Sequence, residues 1–203
     1  MAITLADLVP PGAEAGVGLA LRDEAGRYLF FLAGTRHGCP PGERFYAGIG
    51  GHREAGEDWV ACARREAWEE GGTGIELLPA AATWHLPHGG APQQVEVADR
   101  PRPLAVYEMV HPAGTPRAGE LYRIVIYHAR LNSPPRNLPS DEVGGVIALT
   151  AEQVVRGLEG PVSLGELLAS GAAWIAGQMP EPALRLYPLG TARALGQVLR
   201  SWG

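Results

Sequence analysis

The sequence predicts an α/β protein: an α/β/α sandwich with a mixed central sheet covered by helices on both faces, followed by a C-terminal helical extension. Three observations carry this expectation. Strand-length apolar runs come first, one strongly helical segment follows, and further strand-like runs precede two short capped helices. The 203 residues are 46% hydrophobic, which is enough for one substantial core and short for two enzyme domains. The last segment places Leu195, Val198, Leu199 and Trp202 at i, i+3, i+4 and i+7, the spacing of an amphipathic helix. The expected organisation is a catalytic domain over residues 1–158 and a helical extension over 159–203, packed on the core or at a homodimer interface.

The elements follow in order. Residues 16–22 and 27–33 are apolar runs around Asp23-Glu24-Ala25-Gly26, the signature of a hairpin. Residues 34–44 are rich in Gly and Pro and read as a loop. A short strand over 45–49 ends at Gly50-Gly51. From Glu57 to Glu70 the period turns helical, with Val60, Ala63 and Ala67 on one face, Glu57 and Asp58 in the first turn, and Gly71-Gly72 at the far end. Strands are expected near 76–84, 103–110, 121–131 and 143–149, with 111–120 as the turn of a second hairpin. Thr150 with Gln153 and Ser163 with Glu166 form capping boxes that open short helices.

Composition removes several functions. A net charge of −5 with no basic run leaves no footprint for a polynucleotide backbone. All 17 basic residues are Arg, which excludes a Schiff-base lysine and the lysine of a Walker-type P-loop. Cys39 and Cys62 form at most one pair, so a reduced, cytoplasmic protein is expected. The start lacks the basic region of a signal peptide, and no apolar stretch approaches the roughly 18 to 20 residues of a membrane span.

The chemistry concentrates in Gly51–Thr73. Glu66, Glu69 and Glu70 stand at i, i+3 and i+4, so they share a helix face, and the like charges of Glu66 and Glu70 cost a few tenths of a kcal/mol in a bare helix. A divalent cation reverses that sign. Mg²⁺ takes hard oxygen ligands and is commonly held by a few carboxylates together with substrate phosphates, whereas Ca²⁺ requires more ligands. Arg65, next to Glu66 and four residues before Glu69, is placed to hold a carboxylate in one orientation.

This segment resembles the Nudix box: Gly, five residues, Glu, seven residues, Arg-Glu, an aliphatic, any residue, Glu-Glu, any residue, Gly, an aliphatic. Gly51, Glu57, Arg65, Glu66, Glu69, Glu70 and Gly72 fill every fixed position. At roughly 6% usage per residue type, a chance match is on the order of 10⁻⁹ per starting position. Ala67 and Thr73 depart from the pattern, which has larger aliphatics there. The resemblance implies a Nudix-type sandwich and a Mg²⁺-dependent hydrolase, with Mn²⁺ as an alternative ion. The cleaved bond is the phosphoanhydride of a nucleoside diphosphate linked to a second group. Glu66, Glu69 and Glu70 become metal ligands and Glu66 a candidate base. Gly51 becomes a point of close phosphate approach, and Glu57 a support for the metal site. In this family the base is sometimes an acid outside the box, and Glu142 is the first candidate here, Glu120 the second.

Substrate selection is less legible. Arg36 and Arg44 precede the box and are candidate phosphate holders. Tyr46 and Trp84 are candidates for stacking on a base, with core packing the favoured use. Pro87 looks like the downstream proline of ADP-ribose-cleaving relatives, which leans the reading toward ADP-ribose or another sugar nucleotide. The insertion at 85–103 is expected to line the pocket. His85 and His88 lack the partners of a zinc site and read as loop histidines. A non-hydrolytic nucleotide-binding sensor of the same fold is the alternative reading, and an isomerase of the isopentenyl-diphosphate type, which depends on a cysteine, the third.

Overall fold

The computed structural model describes residues 2–111, 117–136 and 138–202. A short helix α1 (Leu5–Leu8) precedes the hairpin of β1 (Ala15–Arg22) and β2 (Tyr28–Ala33). Asp23 builds its turn, accepting from the Arg27 amide at 2.8 Å while its backbone carbonyl takes the Gly26 N–H. Gly26, at φ 81°, supplies the left-handed residue such a turn needs. The two strands pair only at Leu21↔Leu29 and Arg22↔Tyr28, then part. Beyond that fork β1 runs parallel to β8 (Leu121–Leu131), and β2 runs antiparallel to β9 (Val143–Leu149).

The gap opened beside β1 is filled by residues 49–53. Leu19 N–H donates to Ile49 O, Val17 N–H to Gly51 O and Arg53 N–H to Ala15 O. A Cβ on Gly50 would stand 2.1 Å from Val17 O, so this close approach requires glycine. The segment leaves the sheet and delivers the chain to α2 (Trp59–Gly71). The helix starts two residues later than expected. Asp58 is its N-cap, accepting from Ala61 N–H at 2.8 Å, so Glu57 and Asp58 both precede the first turn. Gly72, in the left-handed region at φ 63°, ends it.

The other predicted strands are present with shifted ends. The short strand before the glycines is β3 (Glu43–Ala47), and the run at 76–84 breaks at Pro79 into β4 (Ile75–Leu78) and β5 (Thr83–Leu86). The insertion at 85–103 contributes β6 (Gln93–Val95) against β5 and buries Val97. β7 (Ala105–Val110) and β8 form the second hairpin, closed by Gly119 N–H to His111 O; the part of its turn at 112–116 lies outside the described residues.

Alternation on the sheet feeds two cores, as the sandwich requires. One face buries Val17, Leu19, Phe31, Val125 and Val146 under α2, through Cys62, Ala63 and Ala67. The other buries Ala20, Phe30, Ile126 and Ile147 under α3 (Ala151–Arg156), α4 (Leu164–Ala169) and α5 (Thr191–Trp202). Both capping boxes are formed.

The expectation for 159–203 needs correction. The segment adds three strands as well as helices: β10 (Val162–Ser163), β11 (Ala173–Ala176) and β12 (Arg185–Pro188). β12 lies parallel to β3, β11 pairs with β9, and α5 buries Leu195 and Val198 completely on the core. A boundary at 158 therefore cuts through one sheet. Four residues of β12, the last of them proline, are too few to show a strand period in the sequence.

Candidate active site

Arg65 organises the acids. Its Nε and Nη2 donate to the two carboxylate oxygens of Glu57 at 2.9 and 3.1 Å, and its Nη1 donates to Glu66 at 2.7 Å and Glu69 at 3.0 Å. Nη2 also reaches His52 O at 2.9 Å, which ties the loop to the helix. This grip holds the Glu57 carboxyl down to about 2. Glu66 is 7% exposed, and burial raises its carboxyl against the pull of Arg65. A Cβ on Gly51 would lie 2.3 Å from Glu66 Oε1, so the close approach that Gly51 makes possible is that of Glu66.

Glu70 is held separately, accepting from Gly50 N–H at 3.0 Å. Glu70 is exposed as a residue, yet desolvation of its carboxyl pushes it up to about 7 despite the Gly50 hydrogen bond, and the charges of Glu66, Glu142 and Glu69 add to the rise.

Glu69 and Glu70 form one wall of a cleft of ≈ 200 Å³ whose other walls include Phe31, Arg36, Phe45 and Glu142. Arg36 pairs with Glu142 across its mouth, joining the loop after β2 to the loop before β9. Of the predicted site residues, Glu69, Glu70, Arg36 and Glu142 therefore meet in one place, with Glu66, Arg65 and Gly51 directly behind. Glu120 is exposed in the turn before β8 and does not line the cleft.

Arg44 is a correction. The pleat of β3 sends Phe45 into the cleft and Arg44 away from it, where Arg44 Nη1 lies 3.4 Å from Ala33 O and borders a neighbouring hollow. The same alternation buries Tyr46 against Phe30, with ring centroids 5.1 Å apart, and Trp84 packs against the core, so both serve packing. Pro87 and His88, with Gly89 and Gly90 of the insertion, border a different hollow beside Tyr107 and Arg193. Phe31, His37 and Phe45 are cleft residues that sequence reasoning passed over; the period-2 alternation around Tyr46 was the signal for Phe45.

Whether a divalent cation fits can be judged from the donors. Among the described residues no three His, Cys, Asp or Glu side chains converge into a ready-made cluster. Glu66 and Glu69 turn to Arg65, and Glu70 to Gly50. The donors are all hard carboxylate oxygens, and among the described residues Glu70 is held by a backbone N–H and by no arginine. This set fits an ion that completes its shell with substrate phosphate and water, as Mg²⁺ does. Cys62 suits neither metal nor nucleophilic chemistry: it is fully buried, and burial pushes its thiol up to about 12.

Carboxylates that line and back a cleft offering an arginine are the equipment of a hydrolase acting on phosphoanhydrides. The chain belongs to the NUDIX family: the model of the NUDIX domain matches residues 13–167, from just before β1 into α4. The protein is accordingly a hydrolase of phosphoanhydrides, a pyrophosphohydrolase at the level of the family. Solved structures similar to it include a NUDIX hydrolase from Nitrosomonas europaea (17% identity, 70% of this chain and 75% of that one, TM-score 0.45). A MutT NUDIX hydrolase from Burkholderia pseudomallei is similar at 21% identity over 69% and 84% of the two chains, TM-score 0.43. An Ap4A hydrolase from C. elegans is similar at 19% identity over 71% and 85%, TM-score 0.43. No curated protein matches the chain. No helix among the described residues is long and apolar enough to cross a membrane.

Proposed function

We propose that the protein is a Mg²⁺-dependent pyrophosphohydrolase, with Mn²⁺ an alternative ion, that cleaves a nucleoside diphosphate linked to a second group, ADP-ribose or another sugar nucleotide. The observation that carries this reading is the meeting of Glu69, Glu70, Glu142 and Arg36 on one cleft, with Glu66 directly behind on the same helix face. The partner is a small molecule rather than a polynucleotide, and the setting is cytoplasmic. Glu66, Glu69 and Glu70 hold the cation, which when bound neutralises charge building on the phosphates.

Glu142 is the base. It faces the cleft directly, whereas Glu66 stands behind and is engaged by Arg65. Glu142 accepts a proton from the attacking water as the new O–P bond forms and the anhydride O–P bond breaks. Arg36 leaves Glu142 to hold the phosphate, and the products are a nucleoside monophosphate and the phosphorylated second group. Arg65 fixes Glu66 and Glu69, and Gly50 fixes Glu70, so these acids meet the cation in set positions.

The test is incubation of the purified protein with Mg²⁺ and a panel of nucleoside-diphosphate compounds, products being separated by chromatography, beside Glu70→Gln. Cleavage of a panel member that the variant loses by about a hundredfold supports the reading. Tight binding of a panel compound without cleavage replaces it with the nucleotide-sensor alternative.

A further inference from the structure

Beside the acid cleft lies a second hollow of ≈ 650 Å³. The two share Val143, and the loops that separate them face both ways. Arg36, Pro139 and Glu142 turn to the acids, while Thr35, Leu138 and Ser140 turn to the second hollow. The two hollows are thus neighbours with Val143 between them. The far wall is the segment Gly177–Glu181, which lies beyond the residues matched by the family model. The floor is Gly144-Gly145 on β9. A Cβ on Gly144 would stand 2.5 Å from Arg44 Nη1, so bare backbone here is what seats the guanidinium at the hollow.

The side chains around this space select a chemistry. Arg44 gives only donors, Glu181 only acceptors, and Thr35, Ser140 and Gln178 both. Among the described residues Glu181 forms no ion pair, so its carboxylate is not neutralised by Arg44 on the same hollow. None of the lining residues is aromatic, so no platform for a stacked base exists there. One positive and one negative side chain give no net attraction for further phosphates. Vicinal hydroxyls, which donate and accept at once, match the mixed set.

Resting on the hydrolase reading above, we propose that this hollow is the subsite for the sugar joined to the nucleoside diphosphate. Glu181 and Gln178 receive its hydroxyls and Arg44 donates to its oxygens. The C-terminal segment thereby sets which second group the enzyme accepts.

The test is calorimetric binding, in Mg²⁺, of two uncleavable methylene-bridged ligands: a nucleoside diphosphate sugar and the same nucleoside diphosphate without the sugar. The proteins are the full chain and its Gln178→Ala/Glu181→Ala variant; both residues are exposed, and equal melting temperatures verify the fold. The expected result is that the wild type prefers the sugar ligand by about tenfold, that the variant loses this preference, and that binding of the sugar-free ligand stays within about twofold. No preference in the wild type, an undiminished preference in the variant, or equal weakening of both ligands overturns the subsite. Hydrolysis of the cleavable sugar nucleotide is measured alongside. Turnover without a sugar preference sinks the subsite and spares the hydrolase reading, and preference without turnover does the reverse.

Discussion

Arg65 closes both carboxylate oxygens of Glu57 in its guanidinium, Nε and Nη2 donating at 2.9 and 3.1 Å, while the remaining nitrogen spans Glu66 and Glu69. Glu57 lies before the helix and the other two lie on it, so one planar cation fixes the loop to the acid face. Lysine has the charge without the fork. Arg65→Lys is expected to lower kcat by about ten- to a hundredfold with a small change in KM, read by steady-state kinetics at saturating Mg²⁺.

Gly51 makes the same point from the backbone side. With its Cβ 2.3 Å from Glu66 Oε1, Gly51→Ala displaces the carboxylate that Arg65 positions. Activity is expected to fall by about tenfold or more while the melting temperature moves by only a few degrees, because the clash is with the end of a side chain. A thermal melt beside a kinetic assay separates the two effects.

Removal of the cation should be visible without any substrate. In the wild type Mg²⁺ relieves the repulsion around Glu70, so it is expected to raise the melting temperature, and chelation to lower it again. Glu70→Gln keeps the side-chain oxygen that accepts from Gly50 and loses the charge. The Mg²⁺-dependent shift is expected to shrink markedly in this variant, as differential scanning fluorimetry over a Mg²⁺ titration would show.

His128 gives the fold a pH dependence of its own. Burial holds its imidazole down to about 4 from an ordinary 6.5, and its Nε2 has no hydrogen-bond partner among the described residues. The unfolded chain therefore takes up this proton before the folded one. The stability tied to neutral His128 is complete above pH 6.5 and is lost as pH falls toward 4, on the order of 3 kcal/mol in all. Replacing it with Phe is expected to flatten the decline of melting temperature between pH 6.5 and 4, leaving the carboxylates to dominate below.

The strands that read clearly in the sequence were those with long apolar runs, such as Ala15–Arg22 and Leu121–Leu131, because burial on both faces leaves little room for polar residues. The acid set was legible because its spacing is fixed by one helix. What failed was parity and distance. Arg44 and Phe45 are neighbours in the chain and stand on opposite sides of β3, so without the strand's register either was free to be the cleft residue. Arg36 and Glu142 were singled out separately, but only the fold brings them together. The strand Arg185–Pro188 escaped notice because it exists through its partner, Glu43–Tyr46, and carries too few residues to show its own period.

That late partner also bears on how the molecule is made. While the polypeptide is emerging from the ribosome, β3 has one side joined to β2 and the other bare until β12 arrives much later in synthesis. An unpaired edge invites strands from other nascent chains. The loop carrying Gly50 and Gly51 continues from the end of β3 but is anchored on β1, so its hold on the glutamates is built from an early strand. With that edge bare, chaperone demand should be greatest between the synthesis of β3 and that of β12.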